Sequence, residues 1–145
     1  MTSPPTDQPA APAAARGTRI AHIGLAVRGT DALLPFCRDL LGMPEVPLAD
    51  SDGARITGLA AGESLAELLE SDRPESPIGK YLERRGPGIH HVCFAVDDLD
   101  GTLERCRAAG LRLIDEVPRV GAEGKRIAFL HPSATGGVLV ELSEH

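Results

Sequence analysis

A chain of 145 residues, 42% hydrophobic and 25% charged, has enough apolar surface for one compact domain with its own core. Its net charge of −6 argues against nucleic-acid and anionic-membrane partners, and 3% aromatics with no Trp leave little to stack single-stranded bases. Three cysteines without CxxC spacing make neither a disulfide framework nor a zinc knuckle, and no apolar run reaches the ~18–20 residues of a membrane span.

Residues 1–17, MTSPPTDQPAAPAAARG, are rich in Pro and Ala and lack an apolar h-region. They read as a disordered leader rather than a secretion signal. With cysteines that read as reduced, the expected location is cytoplasmic. Residues 18–27 then alternate as a strand. Ala21, Ile23, Leu25 and Val27 form one face, suited to packing under a helix. Ile20, His22, Gly24 and Ala26 form the other, small around a single His. Thr30 or Asp31 is expected to cap a helix through Leu41, ended by Gly42. Short strands follow near 54–60 and 64–70. Ser76 as N-cap and Pro77 at the first position open a connecting helix over Ile78 to Arg85, closed by Gly86.

Residues 88–96 repeat the opening strand, with His91, Cys93 and Ala95 on one face. Asp97 or Asp98 caps a helix through Ala109, ended by Gly110. Strands near 111–115, 125–130 and 137–142 finish the chain. Each half thus reads β-α-β-β-β, which is an α+β arrangement. The expectation is a single domain over 18–145, made of two modules, about 18–71 and 88–145, around an open cleft.

The halves are one unit written twice. Subtracting 69 from Ile89, His91, Ala95, Val96, Asp100, Leu103, Cys106 and Arg107 gives Ile20, His22, Ala26, Val27, Asp31, Leu34, Cys37 and Arg38. At an offset of 71, Gly124, Arg126, Ile127 and Leu130 fall on Gly53, Arg55, Ile56 and Leu59. At 74, Leu139, Glu141, Leu142 and Glu144 fall on Leu65, Glu67, Leu68 and Glu70. Tandem copies tend to pack about a pseudo-twofold axis, where residues near the axis meet their counterparts. His22, His91, Glu67 and Glu141 are therefore expected to converge as a metal site. Two imidazoles and two carboxylates suit five- or six-coordinate Co, Mn, Ni, Fe(II) or Zn, with positions left for substrate oxygens. Taken singly, a strand His is more often packed than ligating, and each Glu reads equally well as solvent-facing. The pairing is what raises all four. His90 has no partner in the repeat and reads as a support behind a ligand or as structural; Cys93 facing the cleft and the turn residue His131 at its mouth are weighed against packing and structure, which are favoured.

Several segments resemble the vicinal oxygen chelate superfamily, and within it the methylmalonyl-CoA epimerases. They are IAHIGLAV at 20–27, ELLE at 67–70, SPIGKYL at 76–82, GIHHV at 88–92, DEVPR at 115–119, GKRI at 124–127, FLHP at 129–132 and TGGVLVEL at 135–142. The resemblance implies a glyoxalase-like fold, usually dimeric, around one divalent metal per chain, often cobalt, with manganese, nickel, zinc or iron(II) as other choices. It implies an acyl-CoA substrate, His22, Glu67, His91 and Glu141 as ligands, and Glu141 as one base for proton removal at C2. Glu67 is the expected second base. Arg119, Lys125 and Arg126 are the nearest cations along the chain for coenzyme A phosphates, with surface charge an equal reading. Some relatives carry Gln where Glu67 stands, some carry a catalytic Glu where this chain has Ile56, and many carry Lys where it has Ser133. The alternatives of the same fold are a glyoxalase-type lyase acting on a glutathione hemithioacetal and a drug-sequestering resistance protein.

Overall fold

The computed structural model describes residues 17–145. Residues 1–16, nearly all of the expected leader, lie outside the described residues. At its boundary, the Gly17 carbonyl accepts a hydrogen bond from His145 Nε2 at 2.7 Å.

Eight strands form one curled mixed sheet. They are β1 (Arg19–Ala26), β2 (Glu45–Val46), β3 (Ala54–Ala61), β4 (Ser64–Ser71), β5 (Gly88–Val96), β6 (Arg119–Val120), β7 (Arg126–Leu130) and β8 (Val140–Glu144). The order is β2-β3-β4-β1-β5-β8-β7-β6. Read outward from the centre it runs 1-4-3-2 on one side and 5-8-7-6 on the other, so the sequence repeat becomes a twofold relation within the sheet. β1 and β5 meet antiparallel at that centre, while β1–β4 and β5–β8 are parallel. A glyoxalase-like α+β fold follows, with few helices.

The helices close the hydrophobic clusters. Helix α2 (Pro77–Arg85) starts where Ser76 Oγ accepts the Gly79 N–H at 3.0 Å, with Pro77 in the first turn, and ends at Gly86. Its Ile78 and Leu82 pack on Ala26, Ala54 and Leu69. Helix α3 (Leu99–Ala108) starts where Asp98 accepts from Gly101 N. Its Leu99 and Leu103 are almost fully buried against Ala128, Leu130, Val140 and Leu142. Burying a Leu side chain fully stabilises by about 1.5–3 kcal/mol relative to leaving it exposed, so these contacts hold α3 to the sheet.

Four expectations about the elements change. The first helix, α1 (Leu33–Pro35), widens into a π-helical turn over Phe36–Leu40, and its N-cap, Ala32, offers no side-chain bond, so neither Thr30 nor Asp31 caps it. Pro35 has no N–H to return to the carbonyl four residues back, which interrupts the ladder at its start. Residues 111–115 make only a single bridge, Leu113 to Leu130. There Asp115 Oδ2 takes the Phe129 N–H at 2.8 Å, a side chain standing in for a strand partner. The outer strand of that half is β6 instead, and the last strand begins at Val140 rather than near 137. Finally, Leu25 and Val27 do pack under the first helix, but Ile23 stays 36% exposed.

Candidate metal centre

The register of the central strands brings three side chains around the Nε2 atom of His22. Gly24 in β1 lies opposite His91 in β5, and His22 lies opposite Cys93. On one side β4 sets Glu67 beside Gly24, and on the other β8 sets Glu141 beside Cys93. Each carboxylate therefore flanks the position two residues after a histidine, once per module. All four side chains are buried. His22 Nε2 lies 3.0 Å from His91 Nε2, 3.0 Å from Glu67 Oε2 and 2.7 Å from Glu141 Oε2. His91 Nε2 is 3.4 Å from Glu141 Oε2.

The separations around His22 Nε2 fit a metal. In an octahedron with bonds of about 2.1 Å, neighbouring donors stand about 3.0 Å apart. His22, Glu67 and His91 bring one ligand atom each within 4.8 Å of one another. Among the described residues, Glu67 Oε1 and Glu141 Oε2 are buried without a hydrogen-bond partner, although the latter lies 2.7 Å from His22 Nε2. Buried polar atoms without partners are costly, and a cation would satisfy both.

The protonation pattern points the same way. Burial disfavours a charged His22 ring, but the Cys93 contact and the Glu123 and Glu141 carboxylates outweigh it and push its pKa up to about 12. Burial raises Glu67 to about 7, with the Glu123 and Glu141 charges adding to it. Burial also opposes Glu141, yet the adjoining His22 and His91 rings hold it down near 2. The clustered carboxylates thus favour positive charge at His22, as they would a bound cation.

The site lies in a cavity of about 510 Å³ whose walls include Ile56, Ile127, Phe129 and Leu139. His91 is fixed from three sides. Phe129 meets its ring edge-on at 5.5 Å between centroids, His90 Nδ1 lies 2.9 Å from its Nδ1, and Gly24 leaves room for the ring. Burial and the His91 charge lower His90 to about 4, so it stays neutral beside its neighbour. Of the three expected cations, Arg119 lines the cavity, held by Asp52 at 3.1 Å and Asp115 at 3.0 Å. Arg126 pairs with Asp100 and Glu144 on the helix side, because it alternates with the cavity-facing Ile127. Lys125 does not line the cavity. His131 instead ends β7, its Nδ1 accepting the Ser133 N–H.

Arg73 and Glu123 line the cavity and were missed from sequence. Glu123 carried no signal beyond the Gly121–Gly124 turn.

The model of the Glyoxalase/Bleomycin resistance protein/Dioxygenase superfamily matches residues 21–129. An ethylmalonyl-CoA/methylmalonyl-CoA epimerase of Cereibacter sphaeroides is 34% identical over 130 residues, 87% of this chain and 97% of the relative. The chain belongs to the methylmalonyl-CoA epimerase family. Within this family, a mitochondrial methylmalonyl-CoA epimerase of Bos taurus is 34% identical over 130 residues, 87% of this chain and 74% of the relative. A solved methylmalonyl-CoA epimerase, in complex with methylmalonyl-CoA and NH4+, superposes with a TM-score of 0.82 at 37% identity, covering 88% of this chain and 94% of that one. Among the described residues, no helix is long and apolar enough to cross a membrane.

Proposed function

We propose that the protein interconverts (R)- and (S)-methylmalonyl-CoA by moving the C2 proton, in a centre where His22, Glu67, His91 and Glu141 hold one divalent metal. The observation that carries this reading is the convergence of four buried donors inside a cavity, in a chain of the epimerase family. A divalent ion there would supply Lewis acidity, making C2–H more acidic and stabilising the enolate charge. The protein does the rest. Glu141 is kept anionic by His22 and His91 and accepts the proton on one face of C2. Phe129, Ile56 and Leu139 keep bulk water from the reacting carbon. Arg119, fixed by two carboxylates, offers its charge to an anionic group of the substrate. Glu67, the repeat partner of Glu141, reaches the same Nε2 atom, which favours a ligand role over action on the opposite face.

Cobalt is the proposed native ion, in keeping with the mixed N/O donor set. Dimerisation is supported by the exposed Ile20 and Ile23 on a central strand. A cytoplasmic site is supported by three free cysteines, whereas the bovine relative is mitochondrial. The drug-sequestering alternative needs an aromatic-lined cleft, and apart from its histidines this cavity's one aromatic side chain among the described residues is Phe129.

The test is solvent exchange. Metal-loaded protein incubated with methylmalonyl-CoA in D2O incorporates deuterium at C2, and a chelator stops it. Turnover of methylglyoxal with glutathione in its place refutes the proposal in favour of the lyase.

A further inference from the structure

Inversion at C2 needs a proton removed from one face and another delivered to the opposite face. Four carboxylates line the cavity among the described residues: Asp52, Glu67, Glu123 and Glu141. Glu67 and Glu141 both crowd the Nε2 edge of His22, on the metal side. Asp52 is tied to Arg119, with both its oxygens 3.1 Å from Nη1. Glu123 is the remaining one. Its Oε2 lies 3.3 Å from Nδ1, at the other edge of the His22 ring, and its side chain is 17% exposed. Among the described residues no Arg or Lys pairs with it.

The placement of Glu123 is built rather than incidental. It sits in the turn between β6 and β7, closed by Gly124 N to Gly121 O at 3.0 Å and Gly121 N to Lys125 O at 2.9 Å. Ala49 N donates to Ala122 O at 3.1 Å, tying this turn of the second module across to the first. The turn thus hangs over His22 from the module that does not carry it. At the repeat offset of 71, Glu123 corresponds to Asp52, since 123 less 71 is 52. One acidic tip is neutralised by Arg119 and the other enters the cavity, so the two modules differ where a two-faced reaction requires a difference. Ile56 and Ile127, which also line the cavity, have no titratable group.

Resting on the epimerase reading above, we propose that Glu123 is the second catalytic carboxylate, acting on the face of C2 opposite Glu141. In one direction Glu141 takes the C2 proton as the C–H bond breaks to the enolate, and Glu123, as the carboxylic acid, forms the new C–H bond on the other face. In reverse their roles exchange. Each cycle leaves one carboxylate protonated and the other ionised, and exchange with water restores the pair. No oxidant or further reactant is needed.

A carboxylate beside a histidine also describes a residue that merely orients the ring, and the test separates the two. Glu123→Gln retains an oxygen to accept from His22 but cannot carry the proton. With full-length, metal-loaded protein, the expected result is one metal per chain as in the wild type. Deuterium exchange from one enantiomer continues within about threefold, and interconversion falls roughly 10²–10⁴-fold. Glu141→Gln has the opposite enantiomer preference. Interconversion by Glu123→Gln at the wild-type rate overturns the assignment. So does an equal fall in exchange from both enantiomers, or loss of metal, either of which makes Glu123 a positioning residue. If wild-type protein exchanges neither enantiomer, the epimerase reading itself fails and takes this inference with it.

Discussion

Gly24→Ala probes the proposed metal centre without touching a proposed ligand. Gly24 is not among the glycines with positive φ, so Ala meets no backbone strain there and only space is tested. A Cβ at this position would stand 2.3 Å from His91 Cε1, 2.5 Å from Nδ1 and 2.9 Å from Nε2. Ordinary contact begins at 3.4 Å, so the ring must retreat by about 1 Å (3.4 less 2.3). Phe129 and His90 are packed against it, and metal–nitrogen bonds tolerate only about 0.2 Å. A metal bond to His91 would therefore be broken or badly bent. The expected cost is at least about 100-fold in Kd, or about 2.7 kcal/mol. Calorimetric titration of the apo protein with Co2+ measures it, with thermal melts of the apo forms as a check on folding. Gly29→Ala is the control, since nothing lies within 4 Å of its new methyl group. Wild-type affinity in Gly24→Ala refutes the reasoning, because His91 then either yields freely or does not bind the metal.

Three further outcomes follow from the same geometry. His22→Ala and His91→Ala abolish stoichiometric metal uptake, while His90→Ala keeps one metal per chain and weakens it by roughly 10–100-fold, as expected for the neighbour that orients His91; elemental analysis and titration decide between them. Metal affinity rises with pH, because the ion displaces the proton that His22 holds up to about pH 12 and, below about pH 7, a second from Glu67. Kd thus falls about tenfold per unit above pH 7 and more steeply below, and proton release on titration should approach one per metal at pH 9. Arg119→Ala raises KM for methylmalonyl-CoA by roughly tenfold with little change in kcat, the mark of lost uniform binding, whereas Arg126→Ala leaves both within twofold because its partners lie on the helix side. Equal effects of the two Arg variants would show that the coenzyme tail runs elsewhere.

Whatever repeats or obeys a local period was legible in the chain. The caps at Ser76 and Asp98 are local chemistry, an oxygen three residues before an unpaired N–H. The face of Arg126 was legible too, from its alternation with Ile127, although proximity in sequence to Lys125 obscured it. The pairing of His22 with His91 and Glu67 with Glu141 came from the repeat, and the register of β1, β4, β5 and β8 sets His91, Glu67 and Glu141 within about 3 Å of His22 Nε2. The wide turn after Pro35, the short β2 and β6 and the side-chain bond of Asp115 left no periodic trace, since each is only two to five residues long or rests on one contact.

The placement of Glu123 and the approach of the His91 ring to Gly24 belong to tertiary structure alone. Each depends on what one module presents to the other, a turn of the second over His22 and a ring of the second over Gly24 of the first. A repeat predicts where equivalent residues meet across the axis. It is silent where the modules diverge, because a contact between unlike residues 67 or 101 positions apart has no period, and only the closed sheet sets its distance.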